Sequence, residues 1–253
     1  MRSPLNKRLF RELRGEFGKY LVIFILMTLT IGMVSGFLVA DGSMIQAYEE
    51  SFEKYSIENG HFRTEKKMNN AQIQDIEDLG IKLYENYYVE EALTNGSTMR
   101  IFKNRDEVNK VCLMKGTMPE KPGEIGIDRM YADNNDLSVG DEIESGGHTW
   151  KITGLVALSD YSALFSNNND SMFDSVKFGV SVVCPEEFDS YKADQLNYSY
   201  AWKYNTEPKN EKAEKDISED LMEDVAKEVT LEEFVPRYTN QAIIFTGDDM
   251  GGD

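Results

Sequence analysis

The sequence predicts an α+β protein: one N-terminal transmembrane helix with a helical stalk, then a mixed α/β extracytoplasmic domain. Three observations predict it. Residues 20–40, YLVIFILMTLTIGMVSGFLVA, run for 21 positions without a charge. The formal charge reverses across that run. Beyond it, short stretches of period-two alternation are interspersed with a few helical segments bounded by Asn, Gly and Pro.

The uncharged run comes first. At ~1.5 Å per residue it spans ~31 Å, about the thickness of a bilayer's hydrocarbon core. Twelve of its 21 residues are Leu, Ile, Val or Phe, and each favours insertion. A helix satisfies its own backbone hydrogen bonds in lipid, so a spanning helix is the expected form. A cleaved signal peptide is the rival. Its apolar region is shorter, and Leu38-Val39-Ala40 fits the small-residue cleavage pattern poorly.

Residues 1–20 carry Arg2, Lys7, Arg8, Arg11, Arg14 and Lys19 against Glu12 and Glu16, a balance of +4. Subtracted from the total of −18, that leaves −22 on residues 41–253. Basic flanks stay in the cytoplasm, so the chain is expected in the cell membrane with its N-terminus inside and its bulk outside. Such an acidic exterior repels phosphate, so no nucleic-acid partner is expected.

Residues 1–19 read as an amphipathic interfacial helix. Leu5, Leu9, Leu13 and Phe17 repeat at i, i+4, with basic side chains on the other face. Within the spanning run Thr28, Gly32 and Gly36 share a face, and Gly32–Gly36 is a G-x-x-x-G pair that admits a second helix closely. Residues 41–60 read as the stalk, with Met44, Tyr48, Phe52 and Tyr55 at helical spacing and Asn59-Gly60 ending it.

Residues 61–246 are expected to form the extracytoplasmic domain. A strand at 61–65 leads to a capped helix at 70–79, with Ile73, Ile76 and Leu79 inward. A strand at 81–89 completes a βαβ-like unit. Asn95-Gly96 marks a hairpin turn before a strand at 98–103. Strands follow at 108–114 and 124–128, a short helix at 129–135, a strand reaching Ile143, and a Gly146-Gly147 turn into a strand at 148–156. Strands are expected at 176–184 and 197–204. A helix opens at Pro185, and a charged surface helix covers 207–227. Residues 229–244 read as one or two strands, and 247–253 as a disordered acidic end.

The two cysteines, Cys112 and Cys184, lie in the strand-like runs KVCL and VSVVC. They read as buried thiols, with one extracellular disulfide as the alternative. His61 and His148 are far apart in sequence and read as solvated or hydrogen-bonded strand residues rather than as a base or ligand. The sequence has no G-x-x-x-x-G-K-[ST], no G-x-S-x-G and no H-E-x-x-H. The Asp- and Asn-rich stretches 133–136 and 167–170 lack the spacing of a calcium loop. No catalytic, cofactor-binding or metal-binding residue is assigned, and no enzyme activity or cofactor is expected.

Residues 124–158, EIGIDRMYADNNDLSVGDEIESGGHTWKITGLVAL, combine a short helix, a V-G-D-E-I turn-strand, a Gly-Gly turn and a strand ending in Thr-Gly-Leu-Val. This order resembles the extracytoplasmic core of FtsX-like (MacB-type) ABC transporter permeases, and the layout of the N-terminal segments is similar too. The resemblance implies a βαβ-type subdomain split around a β-rich insert, roughly 94–204. It implies three later spanning helices beyond the present sequence and contact with a separate ABC ATPase through parts absent here. A second permease copy or paralogue would complete a dimer. ATP-driven closure would move the ectodomain to export peptides, lipoproteins or lipids, or to activate an outside partner. Within that scheme Leu5, Leu9, Leu13 and Phe17 anchor at the membrane, Thr28, Gly32 and Gly36 pack helices, and Met44, Tyr48, Phe52 and Tyr55 couple the stalk to the ectodomain. The alternative is a single-pass receptor or adhesin with an α+β ectodomain.

Overall fold

The computed structural model describes residues 15–249, the side chains of residues 38, 41–45, 49 and 246–249 excepted. It contains one long helix, α1 (Phe17–Lys54), followed by a domain built on two sheets. Within α1, Phe17–Phe37 is long and apolar enough to cross a membrane, with a mean hydropathy of 2.1 and none of that stretch buried in the chain. The interfacial helix expected over the first residues, with Leu5, Leu9 and Leu13, lies outside the described residues.

Helix α1 ends at Lys54, before the expected Asn59-Gly60. Ser56 turns left-handed at φ 51°. Its N–H donates to Glu53 O at 3.1 Å, and the Ile57 N–H reaches back to Phe52 O at 3.0 Å. This pair of bonds is a Schellman closure, with Ser in the place glycine usually takes.

The first sheet has four strands: β1 (Gly60–Thr64), β2 (Ile81–Glu85), β10 (Tyr198–Tyr204) and β11 (Leu231–Pro236). Their order is β11-β1-β10-β2, and all neighbours are antiparallel. Helix α2 (Asn70–Glu77) joins β1 to β2, and α5 (Glu211–Glu228) joins β10 to β11. Each joins parallel strands with a third strand between them. The two split βαβ units interlock in the ferredoxin-like order. Phe62 stacks between Tyr200 (5.6 Å) and Phe234 (6.4 Å), and Trp202 lies 4.8 Å from Phe234. Ile76 of α2 and Leu221 and Val225 of α5 are buried in the same core. Asn69 caps α2 through Ala71 and Gln72 N–H, and the Gln72 side chain answers to the Asn69 N–H. This capping box fixes where the helix starts. Leu79, expected inside, is 43% exposed, because α2 stops at Glu77 and Gly80 turns the chain at φ 95°.

The second sheet is carried between β2 and β10. It comprises β3 (Tyr88–Ala92), β4 (Thr98–Lys103), β5 (Val111–Gly116), β6 (Glu124–Asp128), β7 (Glu142–Ser145), β8 (His148–Leu158) and β9 (Phe178–Val183). The order is β3-β4-β9-β6-β8-β5, and β7 also pairs with β8. A bridge between Leu93 and Ser145 ties the end of β3 to β7 and curls the sheet towards closure. Trp150, Ile125, Ile127, Ile152, Met99 and Ile101 fill it. Helix α3 (Arg129–Asn134) follows β6, and α4 (Pro185–Phe188) follows β9 with Pro185 in its first turn. Gly154 is required in β8, since a Cβ there would lie 2.4 Å from Thr117 O.

Two strand expectations are corrected. The single strand over 81–89 is broken at Asn86, where the chain leaves the first sheet for the second; the buried Asn86 N–H stays bonded to Ser199 O at 2.9 Å. Of residues 229–244, only β11 is a strand. Pro236 ends it, a 3-10 turn follows at Arg237–Thr239, and Asn240 Oδ1 accepts from Ala242 N at 3.0 Å to start α6 (Gln241–Asp249). The acidic end therefore contributes Gly247–Asp249 to a helix, and residues 250–253 lie outside the described part.

Candidate functional site

The polar side chains that converge most closely lie where α1 enters the domain. Just beyond its last turn, residues 55–59 are bonded to both sheets. Lys110 N donates to Tyr55 O at 2.9 Å and Asn109 N to Ser56 O at 3.1 Å, which fastens the segment to the approach to β5. Lys203 Nζ donates to Ile57 O at 2.9 Å, and Asn59 N donates to Trp202 O at 2.8 Å, both on β10. Arg237 N, just after β11, donates to Asn59 O at 2.8 Å. The Arg237 guanidinium sits 5.3 Å over the Phe52 ring, an attractive cation–π geometry. The segment after α1 and the segment after β11 are thus bonded to each other.

Beneath these bonds lies a buried ionic cluster. Glu58 is 1% exposed. Its N–H donates to Asn109 Oδ1 at 2.9 Å, and Asn109 Nδ2 donates to its carboxylate at 2.5 Å. Its other carboxylate oxygen lies 2.6 Å from His61 Nδ1. Asn109 is fully buried and held at φ 47°, a backbone region that Asn tolerates better than most residues. Asp160 and Arg105 form a bidentate pair with both distances at 2.7 Å. Arg105 also donates to Asn86 Oδ1 at 2.8 Å and lies 4.6 Å over the Phe102 ring. Burial by itself would raise Glu58, but the facing His61, with help from Asn109 and Arg105, holds its carboxyl below the usual range. Burial would lower His61, yet Glu58 outweighs that and raises it.

Glu58, His61, Asn86 and Asp160 line one side of a cleft of about 590 Å³ between the two sheets. Arg100 crosses the cleft. It donates to Glu90 at 2.6 and 2.9 Å, to Tyr161 Oη at 2.7 Å and to Ser166 O at 2.8 Å. It is also sandwiched between Tyr88 (4.5 Å) and Phe178 (5.0 Å). With these partners it braces the walls. The third wall, the segment after β8, is tied to α6. Ser162 Oγ donates to Ala242 O at 2.7 Å, and Phe165, Phe173 and Phe245 meet edge-on at 5.3–5.8 Å. Among the described residues no three His, Cys, Asp or Glu side chains converge as metal ligands.

The sequence-predicted residues distribute as follows. Phe17 opens α1 and is 58% exposed. Thr28, Gly32 and Gly36 lie in α1. Thr28 Oγ1 donates to Phe24 O at 2.8 Å, and a Cβ at either glycine would have nothing within 4 Å. Met44 and Tyr48 lie further along α1, Tyr48 half-buried. Phe52 and Tyr55 reach the joint, where Tyr55 Oη donates to Cys112 Sγ at 3.2 Å. Cys112 and Cys184 are both free thiols. Sequence reasoning missed Glu58, Arg105, Asn109 and Asp160. They come from three separate loops, and the only local signal was an Asn able to turn left-handed.

The class defined is therefore an α+β domain of two sheets, entered by one long helix whose first half is apolar. No family model matches the chain, and no curated protein matches it. Among solved structures its fold is similar to the periplasmic region of MacB from Actinobacillus actinomycetemcomitans, at 11% identity over 67% of this chain and 85% of that one, with a TM-score of 0.36. It is also similar to the extracellular domain of the noncanonic ABC-type transporter YknZ from Gram-positive bacteria, at 11% identity over 66% of this chain and 92% of that one, with a TM-score of 0.37.

Proposed function

We propose that this chain is a permease subunit of an FtsX-like, MacB-type ABC transporter, working by moving its outer domain rather than by conducting solute through a wide pore. The observation that carries the proposal is the unbroken helix α1, which begins in the apolar stretch and ends in the joint. A continuous helix keeps its backbone bonds internal; no Pro interrupts α1, and its Ser35-Gly36 and Gly42-Ser43 pairs are the points where it can bend. Displacement of its membrane half is then passed to Tyr55–Asn59, and from there to both sheets. The sequence resemblance over residues 124–158 points the same way.

In this scheme the basic N-terminal segment is cytoplasmic, with Leu5, Leu9, Leu13 and Phe17 at the interface, and the domain stands outside. Gly32 and Gly36, with Thr28, face a neighbouring helix. Met44, Tyr48, Phe52 and Tyr55 couple the stalk to the domain. ATP is hydrolysed by a separate ABC ATPase subunit, as the resemblance to these permeases implies. A second permease copy or paralogue pairs with the first, and the moved domain handles a peptide or lipid substrate or activates an outside partner.

Affinity purification of the tagged protein from its native membranes, in mild detergent, tests the assembly. An ABC ATPase recovered in fixed stoichiometry, and stimulated by ATP binding to change the domain's protease sensitivity, is the expected result. Recovery without any ATPase, with cell-surface ligand binding intact, would instead establish the receptor or adhesin reading.

A further inference from the structure

The joint contains a charge balance that depends on one proton. Glu58 and Asp160 are 1% and 5% exposed, and Arg105 is 9% exposed. Asn109 links the carboxylates, its Nδ2 lying 2.5 Å from Glu58 and 3.4 Å from Asp160. One guanidinium faces two carboxylates. A neutral His61 leaves one negative charge without a counter-ion; an imidazolium cancels it. The other charged groups around the cluster pair among themselves. Arg63 on β1 meets Glu232 and Glu233 on β11 at 3.4 and 3.7 Å. Lys203 on β10 meets Glu207 at 3.9 Å, and Arg237 meets Glu214 on α5 at 3.5 Å. Of these only Lys203 also faces Glu58, and it is shared with Glu207. The His61 side chain is 24% exposed and lines the cleft, so solvent protons can reach it.

The geometry points to a pH-sensitive clasp: the cluster of Glu58, Asn109, Asp160 and Arg105 holds the end of α1 on both sheets while His61 is an imidazolium, and the hold weakens as pH rises and His61 gives up its proton. Neutralising His61 leaves Glu58 desolvated against a second buried carboxylate. That penalty is relieved by letting the 55–59 segment separate from Asn109. The sign follows from linkage. His61 is raised above its ordinary 6.5 in the folded chain. Its contribution is therefore complete below that ordinary value and is lost as pH climbs through the raised one. Glu58, lowered from 4.5, acts oppositely: its contribution is present above the ordinary value and fails only on acidification. The alkaline weakening therefore belongs to His61. It does not depend on the transporter assignment, because it is read on the chain alone.

Two readouts on the full chain in nanodiscs test the clasp between about pH 5 and pH 9. Histidine-labelled NMR should show His61 titrating above the value it takes in the urea-unfolded chain. Hydrogen exchange, corrected for the intrinsic pH dependence, should show opening at Asn109, Lys110 and Arg237 rising on the order of ten-fold as His61 deprotonates. The β9 amides should stay level and confirm that the domain remains folded. His61→Gln should lose the pH step and exchange fast throughout, and Glu58→Gln should return His61 towards its unfolded value. His61 titrating at or below that value, or an intact pH step in His61→Gln, would overturn the proposal.

Discussion

From Phe17 to Phe37, α1 shows apolar side chains on every face and buries none of them in the chain, whereas from Tyr55 to Asn59 every backbone N–H has a partner. Three of those N–H groups close the helix on Ser51, Glu53 and Phe52. The other two reach Asn109 and Trp202, one towards each sheet. In water the first region is costly, at roughly 25 cal/mol per Å² of apolar surface left exposed. In a bilayer it costs nothing of the kind. The second region is specified by hydrogen-bond geometry and charge pairing. One end of the helix is thus defined by its solvent and the other by its neighbours. An element joined to its neighbours by directional bonds can pass a displacement to them; one held only by apolar contact could slip.

The largest test of this contrast breaks the specified end. Arg105→Leu leaves Asp160 buried and unpaired and should cost about 3–5 kcal/mol in urea unfolding. Adding Asp160→Leu should recover most of it. An isolated loss under about 1 kcal/mol for Arg105→Leu would show that the pair is dispensable. Next is Gly60→Ala at the start of β1. The new Cβ would lie 2.3 Å from the Trp202 ring and 2.7 Å from Val235 O, so a cost of about 1–3 kcal/mol is expected, read as a lowered Tm.

A smaller, opposite effect is expected at Asp128, the buried cap of α3. Its carboxylate accepts from Met130 N at 2.8 Å and Tyr131 N at 3.2 Å. Burial outweighs those bonds and pushes it up to about 6 from 3.8. A raised carboxyl contributes stability below its ordinary value and loses it as pH rises through about 6. Asp128→Asn keeps an accepting oxygen without the charge, so it should stabilise the domain at neutral pH by ~1 kcal/mol and flatten its pH profile. The smallest effect should come from the apolar end: Gly32→Ile with Gly36→Ile should shift domain stability by less than ~0.5 kcal/mol while abolishing helix crosslinking in membranes.

Much of the fold was legible because its signals are local. The uncharged run, the capped helix opening at residue 70, Asn95-Gly96, Gly146-Gly147 and the strand-to-helix step at Asp128 each carry their own pattern. Two failures have different causes. Residues 81–89 alternate as one strand, yet the chain changes sheets at Asn86, and periodicity records no change of partner. Residues 237–244 look β-like from Tyr238, Ile243 and Ile244, but Pro236 and the Asn240 cap decide the matter. At the candidate site, Phe52 and Tyr55 were legible from helical spacing. Glu58, Arg105, Asn109 and Asp160 were not, since only the folded chain brings the Arg105–Asn109 loop and Asp160, 47–102 positions beyond Glu58, into one cluster with it. The sequence read both histidines as solvated or hydrogen-bonded strand residues, and His61 is hydrogen-bonded while His148 is 44% exposed, but nothing in the sequence showed that His61 faces a buried carboxylate.

The proposed coupling is tested most directly on the assembly purified from native membranes into nanodiscs, with a spin label at exposed Glu186 of each copy of this chain and the label-to-label distance measured in nucleotide-free and ATP-trapped states. The distance should change between the two states, and the change should vanish in Ala47→Pro, which interrupts α1 at a cost of about 3 kcal/mol while leaving both the apolar stretch and the joint intact. An unchanged distance in the wild type, or a full change in Ala47→Pro, would contradict transmission through the helix.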